Sequence, residues 1–535
     1  MSIPAELSPN VAWMLWRTTD ARSETVALQD RDGAHTYGAL KGRALAWAEA
    51  LAGCGVAPGD RVAILLERGC DAAAAFFGTI ALGAVAVNVN ETLRPRQIEH
   101  ILSHAGARVF VASAALLSHQ PRAIETHARL IDPSLLPPCP SGEASPVDRV
   151  GSDVAQIIYT SGSTGLPKGV TLSHANLWAG ARAVGSYLDL TPDDRIASLL
   201  PFSFDYGFNQ LLCAVLLGAT LVVERSPYPQ QIVTTLRAQH VTVLPAVPPL
   251  WLQLLGVGTF RTSPLRALRV MTNTGGRLPT AAVRALRQAH PQARLFLMYG
   301  LTEAFRSTYL PPEEVDRHPD SIGKAIPGAE ILVLRDDLTP CEPGEVGELV
   351  HRGPTVGLGY WQDPEATALV YRPNPLRPLG TPDSERVVFS GDLVRRDDAG
   401  FLYHLGRREK FIKTLGYRVS PDEVASVLYA SGEILEAIVA AEPDEQRGER
   451  IIAFVVLAAG GSLERLEAYA VTELPRYMQP ARFELRDTLP RLPNGKHDLA
   501  ALDAMPDRQS FHSSNDLQAD SVDGATPLPH AQRPN

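Results

Sequence analysis

Three glycines, four hydroxyl side chains and a lysine crowd the stretch Tyr159-Thr-Ser-Gly-Ser-Thr-Gly-Leu-Pro-Lys-Gly-Val170. Gly162, Gly165 and Gly169 free the backbone to present its N–H groups, and Thr160, Ser161, Ser163 and Thr164 add hydroxyl donors. Such a loop suits the oxygens of a phosphate. Lys168 adds a positive charge at its end. The apolar run Val154 to Ile158 before the loop reads as a buried strand, and Thr171-Leu-Ser-His174 after it opens a segment of helical character. A flexible Ser/Gly linker seldom follows an apolar strand directly or ends in Pro-Lys-Gly. The P-loop of NTPases needs a glycine directly before its lysine, and Pro167 stands there instead.

Further stretches follow in order: Tyr299-Gly-Leu-Thr-Glu303, Ser390-Gly-Asp-Leu393 with Gly406-Arg407, Lys413-Thr-Leu-Gly416-Tyr-Arg-Val-Ser-Pro-Asp-Glu423, and Leu492-Pro-Asn-Gly-Lys496. With the loop, they resemble the AMP-forming adenylate ligases: acyl-CoA synthetases, the adenylation domains of peptide synthetases, and luciferases. The resemblance covers about residues 10 to 500. It implies ATP and Mg2+, with the phosphates on the loop of Thr160 to Gly165 and beside Lys168 and Thr302. Tyr299 would lie near the adenine. Glu303 would hold Mg2+, which takes one or two carboxylates plus phosphate oxygens. Asp392 would accept two hydrogen bonds from the ribose diol, and Arg407 would reach the ribose or a phosphate. Glu409 occupies the position of a hinge about which a small C-terminal domain turns between two half-reactions. Lys413 and Gly416 would line the thiol tunnel in the second state. Lys496 would enter the cleft and stabilise charge developing at the α-phosphate.

The reaction so implied has two steps. A carboxylate attacks the α-phosphate of Mg·ATP, giving an acyl-adenylate and pyrophosphate. The thiol of CoA or of a carrier protein's phosphopantetheine then displaces AMP. Each stretch also has a plain structural reading: a capped helix start at Thr302, a turn aspartate at Asp392, an exposed turn lysine at Lys496. Their joint presence in order favours chemistry. Asp397-Asp-Ala-Gly400 is read as a hairpin turn only.

Three of the polar turns, 160–169, 273–276 and 299–303, follow apolar strands, and strand ends of α/β sheets are where ligands bind. Strand alternating with helix gives the fold class α/β, with mostly parallel sheets flanked by helices, and the resemblance implies that they form a large N-terminal domain, residues 1–405. Its helices include 40–52 and 71–82. Short strands with Gly and Pro punctuation from Ile331 to Tyr360 predict a β-barrel-like subdomain. The resemblance further implies a small mobile C-terminal domain, 406–505, whose pattern reads as α+β, with its hinge near Glu409. Residues 506–535, rich in Asp, Ser, Pro, His and Gln, are expected to be an unstructured tail.

A chain of 535 residues, 45% apolar, has material for more than one core. Its net charge of −9 gives no general basic character, so a nucleic-acid partner is not expected. The five cysteines lack metal spacing and point to a reducing compartment. The N-terminus carries no signal pattern, and the longest apolar run, Ala72 to Val87, falls short of the ~20 residues that span a bilayer. The expected location is cytoplasmic.

The acid is less defined. In amino-acid adenylating members, an Asp after an aromatic pairs with the substrate ammonium, and Asp205 follows Phe204 at that place. A buried carboxylate needs a cationic partner, which an α-amino group would supply. Alternatively, Asp205 caps a helix starting at Tyr206. Gly416-Tyr-Arg-Val-Ser-Pro421 looks more like acyl-CoA ligases, and no carrier domain fits in the remaining residues. Phe202 to Gln210 and Met298 to Pro312 resemble stand-alone ligases of exosortase-type polysaccharide systems, which are predicted to work beside a free-standing carrier protein and a PLP decarboxylase. By resemblance the acid pocket includes Asp205, Asn209, Ala246, Asn273, Gly275 and Ala304; Tyr206, Phe208 and Trp251 belong to it or to the core. A luciferase-like oxygenase and an inactive adenylate binder are the other classes, and Lys168, Glu303, Asp392, Arg407 and Lys496 together speak against the second.

Overall fold

The strands Val243–Ala246 and Val270–Asn273 bury every residue, as strands covered on both faces must. In a computed structural model they lie side by side in a nine-stranded sheet, with Ala246 opposite Asn273. The structure describes residues 8–120, 122–136, 144–160, 167–408, 412–414, 417–444, 448–492, 497–499, 501–502 and 510–512. Six strands of this sheet run parallel: Arg294–Tyr299, Val270–Asn273, Val243–Ala246, Arg195–Ser198, Thr220–Val223 and Val26–Asp30. Antiparallel strands close its edges, Gly33–Thr36 on one side and Thr308–Leu310 with Lys324–Ala325 on the other.

A second sheet of seven strands holds Arg61–Leu65, Val85–Asn88, Ala107–Ala112, Arg129–Ile131 and Val154–Thr160 in parallel. The helices Tyr37–Gly53 and Cys70–Ala81 pack on each other, and the core around them joins the two sheets. The second helix is alanine-rich because it must lie very close to the first. A Cβ at Gly78 would stand 2.5 Å from the carbonyl oxygen of Ala44. Its Phe76 meets Phe208 edge-on at 4.7 Å, which assigns Phe208 to the core. Trp251, fully buried among apolar neighbours, belongs there too.

The segment after the glycine-rich loop differs from expectation. Lys168–Ser173 is a strand, antiparallel to Val154–Thr160, and the helix His174–Tyr187 begins only after it. Val170-Thr-Leu alternates in a form a pleated edge accepts, and all of Gly169 to Ser173 is buried. The strands on either side of the loop therefore pair as an antiparallel hairpin.

The expected β-rich subdomain is a five-stranded antiparallel sheet: Glu330–Leu334, Val346–Arg352, Tyr371–Pro373, Arg386–Arg396 and Leu402–Arg407. It reaches well past Tyr360. Residues 397–400 make the hairpin turn between its last two strands. By contact, the chain divides into a large unit, Met1–Glu409 with Arg491–His497, and a small one, Lys410–Pro490 with Asp498–Asn535. The small unit has a six-stranded sheet centred on Ile434–Asp444 and Gly448–Leu457, with the helices Pro421–Ala430 and Leu463–Glu473 on it. Ser510–His512, expected in an unstructured tail, pairs with Arg482–Leu485 instead. Backbone pairing at a sheet edge needs no apolar core of its own. Among the described residues no helix is long and apolar enough to cross a membrane.

His351, on Val346–Arg352, is fully buried, its ring nitrogens 3.0 and 3.1 Å from Ser307 Oγ and Thr355 Oγ1. Burial lowers its pKa from 6.5 to about 4. Between those values the unfolded chain binds the proton and the folded chain does not, so stability falls as pH falls. Each pH unit in that window is worth about 1.4 kcal/mol. Going from pH 7 to pH 5 therefore removes about 2 kcal/mol through His351 alone. In His351→Gln, the loss between pH 7 and pH 5, read from urea unfolding midpoints, should shrink by about that amount; an unchanged loss would contradict the assignment.

Candidate active site

The register of the five-stranded sheet sets Asp392 directly across from Arg407. Arg407 Nε donates to Asp392 Oδ1 at 3.2 Å, and His404 Nε2 stands 3.5 Å from the same oxygen. Tyr299, the last residue of Arg294–Tyr299 in the other sheet, donates its hydroxyl to Asp392 Oδ2 at 2.5 Å. Asp392 is 4% exposed. Burial alone would raise its pKa, but the hydrogen bond and charge of His404, with Arg407 and Tyr299, hold it below the usual carboxylate value. The Tyr299 hydroxyl is pushed well above its ordinary value by burial and by the Asp392 charge. The cluster is thus an ionised carboxylate beside a guanidinium, with Oδ2 held by one donor and so able to accept another.

Glu303 lies four residues beyond Tyr299 in a short 3-10 turn, Thr302–Ala304, in which no side chain caps the first residue. The capped-helix reading of Thr302 therefore does not hold. Glu303 Oε1 accepts from the Tyr360 hydroxyl at 2.7 Å, and its carbonyl accepts the Gly357 N–H at 2.8 Å. Tyr360 arrives because Gly359–Tyr360 adds an edge strand to Lys168–Ser173, with Tyr360 opposite Val170. Lys168 Nζ then lies 5.6 Å over the Tyr360 ring and 3.9 Å from Asp363. Thr160 ends its strand opposite Lys168. Burial and the Glu303 charge push the Tyr360 phenol upward. Glu303, Lys168 beside Asp363, and Arg407 beside Asp392 so lie near the strand ends, carboxylates and cations in a mixture that suits a phosphate ester with its cation. A single carboxylate at Glu303 is compatible with Mg2+, because phosphate oxygens and water fill most of that ion's shell.

Ser161, Gly162, Ser163, Thr164, Gly165, Glu409, Gly416 and Lys496 lie outside the described residues. Lys413 falls on the strand Ile412–Thr414, where only its backbone is described.

Of the residues expected to line the acid pocket, Asp205 and Asn209 lie on the helix Asp205–Leu217. Phe204, not Asp205, is the N-cap, and no side chain caps this helix, so Asp205 is not the cap. Its carboxylate is buried against Arg306, Nη1 to Oδ2 at 3.2 Å. Asn209 sits one turn along the same helix, buried, with Nδ2 unpartnered. Tyr206 donates its hydroxyl to the Thr272 carbonyl at 2.9 Å, which ties the helix to the strand ending in Asn273. Ala246 and Ala304 are fully buried, and Gly275 turns the chain at a φ of 82°. Sequence reasoning missed Arg306, Tyr360 and His404. No spacing marks Tyr360, which meets Glu303 across 57 residues. Arg306 carried a signal, a charge three residues past Glu303 in an otherwise apolar and hydroxyl-bearing segment.

The AMP-binding enzyme family matches residues 15–361, and the AMP-binding enzyme C-terminal domain matches 423–496. The L-proline--[L-prolyl-carrier protein] ligase of Pseudomonas fluorescens is 30% identical over 89% of this chain and 95% of its own length. The medium-chain fatty-acid--CoA ligase of Escherichia coli is 29% identical over 90% of this chain and 87% of its own. Among solved structures, ATP-bound MatB from Rhodopseudomonas palustris superposes with a TM-score of 0.81 at 25% identity, covering 93% of this chain and 98% of that one.

Phe305 packs onto the helix His174–Tyr187 at Gly180, where a Cβ would fall 2.2 Å from its ring. The ring is fully buried and cannot retreat. Gly180→Ala should cost about 1–3 kcal/mol of overpacking, visible as a lowered thermal unfolding midpoint; an unshifted midpoint would mean that Phe305 is free to move.

Proposed function

The chain belongs to the AMP-binding enzyme family and is an AMP-forming acid–thiol ligase; on that premise we propose the roles its own residues take. The observation that carries the reading is the meeting of Asp392, Arg407, Glu303 and Lys168, far apart in sequence, at the ends of adjoining sheets. The Asp392 carboxylate, kept ionised, receives the ribose hydroxyls of ATP. Tyr299 fixes that carboxylate and flanks the adenine. The loop of Thr160 to Gly165, with Thr302 and Lys168, takes the phosphates. Glu303, oriented by Tyr360, would hold Mg2+, which would supply charge neutralisation at the phosphates. Lys496 enters to stabilise the charge that develops at the α-phosphate as the carboxylate attacks. A turn of the small unit about Glu409 then brings Lys413 and Gly416 to the thiol path. The acceptor is CoA or a carrier protein's phosphopantetheine, since relatives named for each are about equally similar.

For the acid, Arg306 supplies the cation that the amino-acid reading of Asp205 reserved for the substrate ammonium. A carboxylic acid without an α-amino group fits that pocket better, because a second cation would compete for one carboxylate.

ATP–pyrophosphate exchange across a panel of carboxylic acids tests the reading. Exchange should appear with at least one acid. Lys496→Ala should lower its rate roughly 10²- to 10³-fold with ATP binding retained, and Asp392→Ala should chiefly raise the KM for ATP. Undiminished exchange in Lys496→Ala would remove that lysine from the first step.

A further inference from the structure

Arg306 is the one arginine among the largest fully buried side chains of the described residues, at 2% exposure. Its Nη1 donates to Asp205 Oδ2 at 3.2 Å and to the Phe305 carbonyl at 2.7 Å. Its Nε and Nη2, the two donors along one edge of the planar guanidinium, have no partner. The Tyr206 ring lies 4.9 Å beneath it. Asn209 Nδ2 and Asn273 Oδ1, on the helix and the strand that Tyr206 links, are also buried without partners.

The chain is strained to put Arg306 there. Phe305 has φ 57° and ψ −49°, and the Arg306 N–H bonds the Ala304 carbonyl at 2.6 Å. This is a γ-turn of positive φ at a bulky residue, which costs about 1–3 kcal/mol.

We infer that the pocket selects an acid whose acyl chain carries an uncharged oxygen, a hydroxyl or a carbonyl, and that Arg306 is the residue that selects it. This rests on the ligase reading above. Charge decides the class. Arg306 and Asp205 together are neutral. A hydroxyl or carbonyl oxygen accepts from Nε and Nη2 and keeps the site neutral, removing a penalty of about 1–3 kcal/mol for each stranded donor. A second carboxylate would bury an uncompensated negative charge beside Asp205, at several kcal/mol. An ammonium would face Arg306. A plain alkyl chain would leave both donors stranded.

The test is ATP–pyrophosphate exchange by the full chain with short straight-chain acids, each beside its hydroxy, oxo, amino and dicarboxylate counterpart of matched length. The hydroxy- or oxo-acid should exceed the matched alkyl acid by at least about tenfold in kcat/KM, since a site built to hydrogen-bond an oxygen rejects the analogue lacking it. The double variant Asp205→Asn/Arg306→Leu removes both charges together, and its ATP binding reports that it folds; it should bring that ratio close to one. Equal or better exchange with alkyl, amino or dicarboxylic acids would overturn the inference and leave the ligase reading standing. A preference that survives in the double variant would remove Arg306 from selection. Should that variant fail to bind ATP, the panel with the unaltered chain decides alone. Exchange with no acid at all would overturn the ligase reading and this inference with it.

Discussion

A buried carboxylate ties the site together. Asp392 comes from the antiparallel sheet, and Tyr299, which hydrogen-bonds it, comes from the end of a strand in the parallel one. Leaving such a group unpaired would cost several kcal/mol, so the two sheets must meet where Tyr299, His404 and Arg407 can reach it. That requirement sets where the turn from Gly300 to Ala304 begins. Glu303, and the strained step at Phe305 that buries Arg306, follow from it within a few residues.

A second seam depends on backbone pairing. Gly359–Tyr360 leaves the five-stranded sheet's segment of the chain and completes the edge of the seven-stranded one. Its ladder with Lys168–Ser173 carries Tyr360 between Lys168 and Glu303. The three sheets of the large unit thus share one cluster of charged groups, each group held by an element from a different part of the chain. Positioning by rigid strand ends, with charges kept ionised by neighbours, is what a phosphoryl or adenylyl transfer asks of a protein.

Much of this was legible in the sequence. Local composition decides short apolar strands, alanine-rich helices and glycine turns: the helices expected at 40–52 and 71–82 are Tyr37–Gly53 and Cys70–Ala81, and the strands expected before the three polar turns are Val154–Thr160, Val270–Asn273 and Arg294–Tyr299. The strand at 168–173 was missed because Val-Thr-Leu-Ser is compatible with either period over so few residues. The strand at 510–512 was missed because composition measures core-forming capacity, while edge pairing uses the backbone.

The sequence alone determined the family, the order of its glycine-, hydroxyl- and charge-bearing stretches and the α/β class, because such residues at close spacing carry their signal locally. It could not determine the partner of Asp205. Buried charge is neutralised in three dimensions, and Arg306 lies 101 residues away. Only the tertiary structure decided that this carboxylate is already paired. It likewise decided that Val154–Thr160 and Lys168–Ser173 pair antiparallel and that Tyr360 hydrogen-bonds Glu303. Those outcomes depend on which distant strands come to share an edge, and no local pattern encodes that.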